Sequence, residues 1–271
     1  MANILDSIVA QTTQDLKKRM KSFSFHDLQS LEGYEKPRSS FKNALKSDGV
    51  SIIAEVKKAS PSKGIIREDF HPVDIALRYQ DGGASAISVL TDEPFFKGNL
   101  EFLASISKKV ELPLLRKDFI IDPYQIKEAR AYGADAFLII MAIISDAQLD
   151  ELLATADEFD LDALVECYDQ PDFDRVPFAR VPILGVNNRD LNSFTVDVHR
   201  GNSILKQAPE NTILVSESGI SSGQDMALLH KENIDAVLIG EHFMRQPDPE
   251  KAVSSLIKAG QLEFERNMQN G

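Results

Sequence analysis

Ile52-Ile53-Ala54-Glu55-Val56-Lys57-Lys58-Ala59-Ser60-Pro61-Ser62-Lys63-Gly64 is the stretch from which the rest of this 271-residue chain can be read. An apolar strand ends by presenting Glu55, Lys57 and Ser60 within six positions and then runs into a loop. Taking a carboxylate and an ammonium out of water costs on the order of several kcal/mol per ion unless they are paired or in use. A strand end bearing both is therefore either a salt-bridged terminus or part of a site. The pattern outside the stretch decides between them.

Apolar stretches of strand length recur at 51–56, 85–90, 113–116, 135–140, 162–166, 182–187, 212–217 and 235–239. Between them the apolar spacing predicts helices at 72–80, 99–108, 123–132, 146–159, 171–178, 198–207, 221–231 and 249–259. Pro72, Pro123 and Pro249 suit first helical turns, where no amide hydrogen is needed, and Gly82, Gly133 and Gly201 punctuate boundaries. Strict alternation of strands and helices requires a parallel sheet. Eight such units match a single closed (β/α)₈ TIM barrel, here expected over 49–262, with its site at the C-terminal strand ends. An open doubly wound sheet would usually bring a G-x-G-x-x-G fingerprint after its first strand, which is absent, as is G-x-x-x-x-G-K-[ST].

Before the barrel, Ile4, Leu5, Ile8, Leu16 and Met20 recur at helical spacing. Phe23, Phe25, Leu28 and Leu31 form a second apolar stretch, followed by a short helix over 40–46. Residues 1–48 are thus an extra N-terminal helical segment, too small for a domain. The polar residues 263–271 are expected to form a frayed tail.

The strand ends hold the chemistry. They present Glu55 and Lys57, then Lys117, Glu166, Asn187 and Arg189, then Glu217, Ser218 and Gly219, and finally Gly240 and Glu241. One face of a barrel would gather three carboxylates from Glu55, Glu166 and Glu217, two lysines, an arginine and an asparagine. That is more ionisable chemistry than stability would select, and it points to a functional cleft. Ser218-Gly219-Ile220 and Ile239-Gly240-Glu241 suit phosphate binding by backbone amides after the last two strands, and Ser60 could close the cradle.

In order and spacing, Glu55-Val56-Lys57-Lys58-Ala59-Ser60-Pro61-Ser62, Leu115-Arg116-Lys117-Asp118-Phe119, Leu164-Val165-Glu166, Gly185-Val186-Asn187-Asn188-Arg189-Asp190-Leu191, Ser216-Glu217-Ser218-Gly219-Ile220 and Leu238-Ile239-Gly240-Glu241 resemble the motifs of indole-3-glycerol phosphate synthases. The resemblance spans nearly the whole chain; Cys167-Tyr168 departs from it beside Glu166. It implies a sugar-phosphate substrate, 1-(2-carboxyphenylamino)-1-deoxyribulose 5-phosphate, which is closed, decarboxylated and dehydrated without metal or organic cofactor. It also implies that the N-terminal segment folds over the catalytic face.

The residue inventory suits that reaction. Lys117 is the candidate general acid for the ketone oxygen. Glu166 would stabilise the ring nitrogen's positive charge and take a proton. Lys57 would assist departure of the hydroxyl, and Glu55 would orient Lys57 or relay a proton. The two lysines could exchange roles. Asn187 can hydrogen-bond a sugar hydroxyl, Arg189 offers a planar fork for the anthranilate carboxylate, and Glu217 holds a hydroxyl or a lysine. By resemblance, Phe96, Phe119 and Leu138 wall the aromatic ring. Two other functions remain open at this stage: another phosphate-binding barrel enzyme such as phosphoribosylanthranilate isomerase, and a silent barrel that binds a sugar phosphate without turning it over.

Composition narrows the class. With 42 acidic and 30 basic side chains the chain is net −12, which argues against nucleic-acid and membrane-surface partners. The longest apolar run, 136–144, is nine residues, where about twenty are needed to cross a bilayer. The N-terminus lacks a signal peptide's apolar core, so a cytoplasmic enzyme is expected, as a monomer or weak dimer, with association with other tryptophan-pathway enzymes left open. There is no G-x-S-x-G elbow, and the five histidines and the single Cys167 show no metal-ligand spacing.

Overall fold

In the computed structural model, which describes residues 4–190 and 193–270, the N-terminal segment forms α1 (Ile4–Ser22), α2 (Phe25–Gln29) and α3 (Phe41–Ala44). Leu191 of the Asn187 motif and Gly271 lie outside the described residues. The quoted stretch folds as β1 (Ser51–Val56), buried at all six positions, and its loop carries an antiparallel hairpin of β2 (Ala59–Ser60) and β3 (Gly64–Ile65). Seven further strands follow: β4 (Ala86–Leu90), β5 (Leu114–Lys117), β6 (Ala136–Ile140), β7 (Asp162–Cys167), β8 (Ile183–Asn187), β9 (Ile213–Glu217) and β10 (Ala236–Ile239). All eight long strands run parallel and close into a barrel when β10 pairs with β1. The TIM-barrel expectation is met, and each strand lies within a residue or so of its sequence-based bounds.

The helices are α4 (Pro72–Asp81), α5 (Glu93–Phe96), α6 (Leu100–Ser107), α7 (Pro123–Ala131), α8 (Asp146–Phe159), α9 (Gln170–Asp174), α10 (Val198–Leu205), α11 (Gly223–Lys231), α12 (Glu241–Met244) and α13 (Pro249–Asn270). Local chemistry sets their starts. Ser145 and Ser222 make reciprocal capping boxes with Gln148 and Asp225, and Pro72 and Pro123 occupy first turns. Residues 171–178 do not form the full predicted helix: α9 stops at Asp174, because the residue before Pro177 is driven out of helical geometry. The hairpin β2–β3 and the short helices α5 and α12 escaped periodicity, being less than two turns or three residues long.

Strand alternation splits the core in two. Ile53, Leu115, Leu138, Leu164, Val215 and Leu238 pack together inside the barrel, whereas Ile52, Ala54, Val89, Phe137, Ile139 and Val165 pack among the helices. No helix among the described residues is long and apolar enough to cross a membrane.

One expectation is corrected. Residues 263–270 are not a frayed tail but the last turns of α13, where Phe264 stacks on His230 of α11 at 3.8 Å and Arg266 pairs with Glu263. The N-terminal segment serves both ends of the barrel. Ile8 of α1 packs against Phe119, Leu138 and Ile140 at the C-terminal mouth, while Phe41 and Leu45, fully buried, fill the interior at the strand starts. There Asp162 Oδ2 accepts the Lys42 amide at 2.9 Å and Asp135 Oδ1 accepts the Ser39 amide at 2.8 Å.

Candidate active site

The C-terminal strand ends converge on one cleft, lined by Glu55, Lys57, Lys117, Glu166, Asn187 and Glu217. The remaining candidates, Ser60, Phe96, Phe119, Leu138, Arg189, Ser218, Gly219, Gly240 and Glu241, line the same cleft. Alternation explains the convergence: Glu55, Lys117, Glu166, Asn187 and Glu217 each occupy the last or next-to-last position of their strands with the parity that faces inward.

Two lysine-centred clusters form. Lys117 Nζ lies 2.9 Å from Glu217 Oε2 and 3.3 Å from Glu166 Oε2, and Lys57 Nζ lies 2.5 Å from Glu55 Oε1. Burial opposes the Lys117 charge, but Glu217, Glu166 and Glu55 outweigh it and hold the ammonium well above the usual lysine range. Glu217 moves the other way. Its burial, reinforced by the Glu166 charge and only partly offset by Lys117, pushes its carboxyl up to about 8.

Asn187 is locked by its neighbours. Its Oδ1 accepts from the Ser218 hydroxyl and the Arg189 amide, both at 3.0 Å, so its amide nitrogen turns toward Glu166 Oε1 at 3.5 Å. Ser218 has a left-handed backbone, φ 71°, followed by Gly219 at φ 85°. A non-glycine residue held there is strained, and its carbonyl is pinned by Asn188 Nδ2 at 2.9 Å. Gly240 makes room of another kind: a methyl built on it would run into Glu55 Oε1 and stand 3.0 Å from Lys57 Nζ.

The apolar end is built by Phe96 and Phe119, whose ring centroids are 6.0 Å apart, with Leu138 beside them. Asp92 holds this wall by capping α5, accepting the Phe95 and Phe96 amides at 2.8 and 3.1 Å. Arg116, facing away from Lys117 on β5, is fully buried and bonds Asp118 Oδ2 at 2.9 Å and Glu128 Oε2 at 3.1 Å. Glu128 in turn pairs with Arg19 of α1 at 2.9 Å, which ties the N-terminal helix to the strand bearing Lys117.

The cleft also contains residues that sequence reasoning passed over: Ile4, Ile8, Ser62, Asp118, Phe194 and His242. Ile4 and Ile8 belong to the N-terminal segment expected over the catalytic face, without being singled out as lining residues, and Phe194 sits in a loop without periodicity. Glu241 and Arg189 face each other at 3.7 Å, and Glu241 also pairs with Arg245 at 3.0 Å. Among the described residues no group of three or more His, Cys, Asp or Glu side chains is arranged to hold a metal ion.

Comparison with known proteins fits this geometry. A family model described as indole-3-glycerol phosphate synthase matches residues 5–256. The indole-3-glycerol phosphate synthase of Salinibacter ruber is 46% identical over 260 residues, covering 95% of this chain and 96% of that protein. Those of Aliarcobacter butzleri and Zymomonas mobilis subsp. pomaceae are 45% and 43% identical, covering 90% and 95% of this chain and 94% and 99% of theirs. The solved thiamine phosphate pyrophosphorylase of Pyrococcus furiosus superposes with a TM-score of 0.57 at 14% identity, over 82% of this chain and 98% of that one, a likeness of fold alone.

Proposed function

The chain belongs to the indole-3-glycerol phosphate synthase family, a carboxy-lyase that converts 1-(2-carboxyphenylamino)-1-deoxyribulose 5-phosphate into indole-3-glycerol phosphate in tryptophan biosynthesis, and from that premise we propose how its residues divide the work. The observation that carries the proposal is Lys117 suspended between Glu217 and Glu166 at the centre of the cleft. Ser60, Gly219 and Gly240 line the same cleft, as do Phe96, Phe119 and Leu138. A substrate with its phosphate at the glycine loops and its ring on the phenylalanine wall brings its C2′ ketone to Lys117.

Lys117 is the general acid of ring closure. The ring carbon bearing the carboxylate bonds to C2′, the carbonyl electron pair moves to oxygen, and that oxygen takes the Lys117 proton. Glu217 and Glu166, which hold the Lys117 ammonium in place in the resting site, favour its presence when the alkoxide develops. Glu166 faces the positive charge that spreads to the ring nitrogen. Carbon dioxide then leaves, its bonding pair restoring the aromatic ring. In dehydration Lys57, oriented by Glu55, gives its proton to the departing C2′ hydroxyl while Glu166 takes the C1′ proton.

Phosphate binding falls to the backbone amides around Gly219 and Gly240 and to Ser60. Ser218 contributes by locking Asn187, with its hydroxyl committed to that side chain. The Glu241 carboxylate, engaged with Arg245 and Arg189, serves to hold Arg189 over the cleft rather than to meet an anion. Arg189 takes the anthranilate carboxylate. The α1 helix covers the mouth with Ile4 and Ile8. Action as a monomer or weak dimer in the cytoplasm is our reading, and the acidic balance supports the absence of a nucleic-acid partner.

The test is a single-turnover assay of Lys117→Ala alongside the unaltered enzyme, following carbon dioxide release and indole fluorescence separately. Lys117→Ala is expected to bind substrate and release neither signal. Release of carbon dioxide without indole would move Lys117 to dehydration and make Lys57 the acid of ring closure.

A further inference from the structure

Gly185 lies on the inner face of β8, paired in register with Glu166 of β7 and Val215 of β9. Its backbone is not in the left-handed region, so conformation does not demand a glycine. Glycine in a strand interior weakens the strand, and its usual explanation is the close approach of another group. Here that group is the Glu217 carboxyl. A methyl built on Gly185 would fall well inside contact distance of Glu217 Oε1, 3.5 Å from Glu217 Cδ and 3.2 Å from Leu164 Cδ1.

The two oxygens of Glu217 have different surroundings. Oε2 meets Lys117 Nζ at 2.9 Å, whereas Oε1 is buried with no hydrogen-bond partner among the described residues. No hydrogen bond therefore sets the depth of Oε1 in the barrel floor; bare backbone does.

We propose that Gly185 is a positioning residue for the reaction: by lacking a side chain it lets the Glu217 carboxyl settle at the depth from which Oε2 holds Lys117 in the cleft. The proposal rests on the assignment of Glu217 and Lys117 to the catalytic site. Burial in this seat is also what drives Glu217 toward its neutral form. A side chain at 185 would push a flexible carboxyl upward while leaving β8 itself undisturbed, so the effect falls on chemistry rather than on the fold.

The experiment is a double-mutant cycle between Gly185→Ala and Glu217→Asp, with Glu217→Gln as reference. In the Glu217 background, Gly185→Ala is expected to fold, keep KM within about twofold and lose about tenfold or more in kcat, the size of effect that an ångström of misplacement produces. Aspartate, one methylene shorter, withdraws from the new methyl. The same Gly185→Ala change should therefore cost less than about twofold on the Glu217→Asp background, a strong departure from additivity. An equal loss on both backgrounds would overturn the proposal, since the methyl would then act through Leu164. Full turnover by Glu217→Gln would instead remove Glu217 from the site, a failure of the underlying assignment that the reference variant shows by itself. If neither Gly185→Ala nor Gly185→Ala/Glu217→Asp folds, packing rather than positioning requires the glycine, and the proposal is wrong.

Discussion

The two ends of the barrel use the same residue types for opposite purposes. At the strand starts, Asp135 Oδ2 accepts the Leu114 amide at 2.9 Å, Asp235 Oδ2 accepts the Leu214 amide at 2.8 Å, and Asp162 and Asp135 tether the chain around α3. These carboxylates answer backbone groups, and Phe41 and Leu45 seal the space between the strands. At the strand ends, Glu55, Glu166 and Glu217 answer lysines, one carboxylate oxygen is left without a partner among the described residues, and a strained Ser218 is pinned in place. A carboxylate bonded to backbone amides has its partners fixed by the fold. A carboxylate facing a lysine can exchange that partner for a substrate, and the mouth that retains this freedom is the one to which we assign the reaction.

Substitution at Lys117 should show the difference most sharply. Lys117→Ala removes the proposed acid and is expected to lower kcat by about 10³-fold, near 4 kcal/mol of barrier, while the protein still folds because a neighbouring carboxyl takes up a proton. Indole fluorescence and circular dichroism measured on one preparation check both halves. At the other end Phe41→Ala should do the reverse. Emptying a fully buried ring costs about 3–5 kcal/mol and lowers the melting temperature by about 10 °C, with kcat unchanged in the folded fraction. A kcat that fell with the melting temperature would mean that the two ends are mechanically coupled, and the comparison would break.

The same contrast governs what the sequence revealed. Strand-length apolar runs separated by helix-length amphipathic ones disclosed all eight barrel strands, because inward and outward faces are both buried and leave long apolar stretches. Glu55, Lys117, Glu166 and Glu217 were legible for the opposite reason: charges at the ends of apolar runs have no structural explanation. The seal at the foot was not legible. Phe41 and Leu45 look like any apolar pair, and nothing local says that they meet Ile53 across the barrel. Gly185 lies within the Gly185-Val186-Asn187 motif, but its purpose depends on where the Glu217 carboxyl lands. The continuation of α13 past residue 262 brings Phe264 onto His230, a pairing between residues far apart in sequence that no local pattern announces.

Protonation offers a subtler separation of the ends. Glu217 has a folded value of about 8 against 4.5 for the ordinary group, so the folded state keeps its proton while the unfolded chain releases it. Between those values the native state binds more protons than the unfolded one, and the linkage slope is negative. Stability should therefore fall as pH rises from about 4.5 to about 8. Glu217→Gln should flatten that part of the curve, as read from melting temperature against pH. Asp135 and Asp235 are also raised by burial, against the pull of their amide donors, but from 3.8, so their loss begins at lower pH. A curve that keeps its slope near neutrality in Glu217→Gln would place the responsible proton elsewhere.

The smallest expected effect concerns the segment that serves both ends. Arg19 of α1 pairs with Glu128 at 2.9 Å and is 36% exposed, whereas Glu128 is buried and also bonded to Arg116. Arg19→Ala therefore leaves no uncompensated buried charge, and its cost is about 1 kcal/mol, in the range of exposed pairs rather than buried ones. That weakens docking of α1 about fivefold. Because Ile4 and Ile8 of the same helix line the cleft, the loss should appear as a rise of a few fold in KM with kcat retained, since Lys117 and its carboxylates are untouched once substrate is held. The tether at the foot, between Lys42 and Asp162, sits at the start of β7, the opposite end of that strand from Glu166. Asp162→Ala should lower the melting temperature and leave KM alone, so a KM change of similar size in both variants would show that α1 responds to the stability of the whole segment and not to its own clamp.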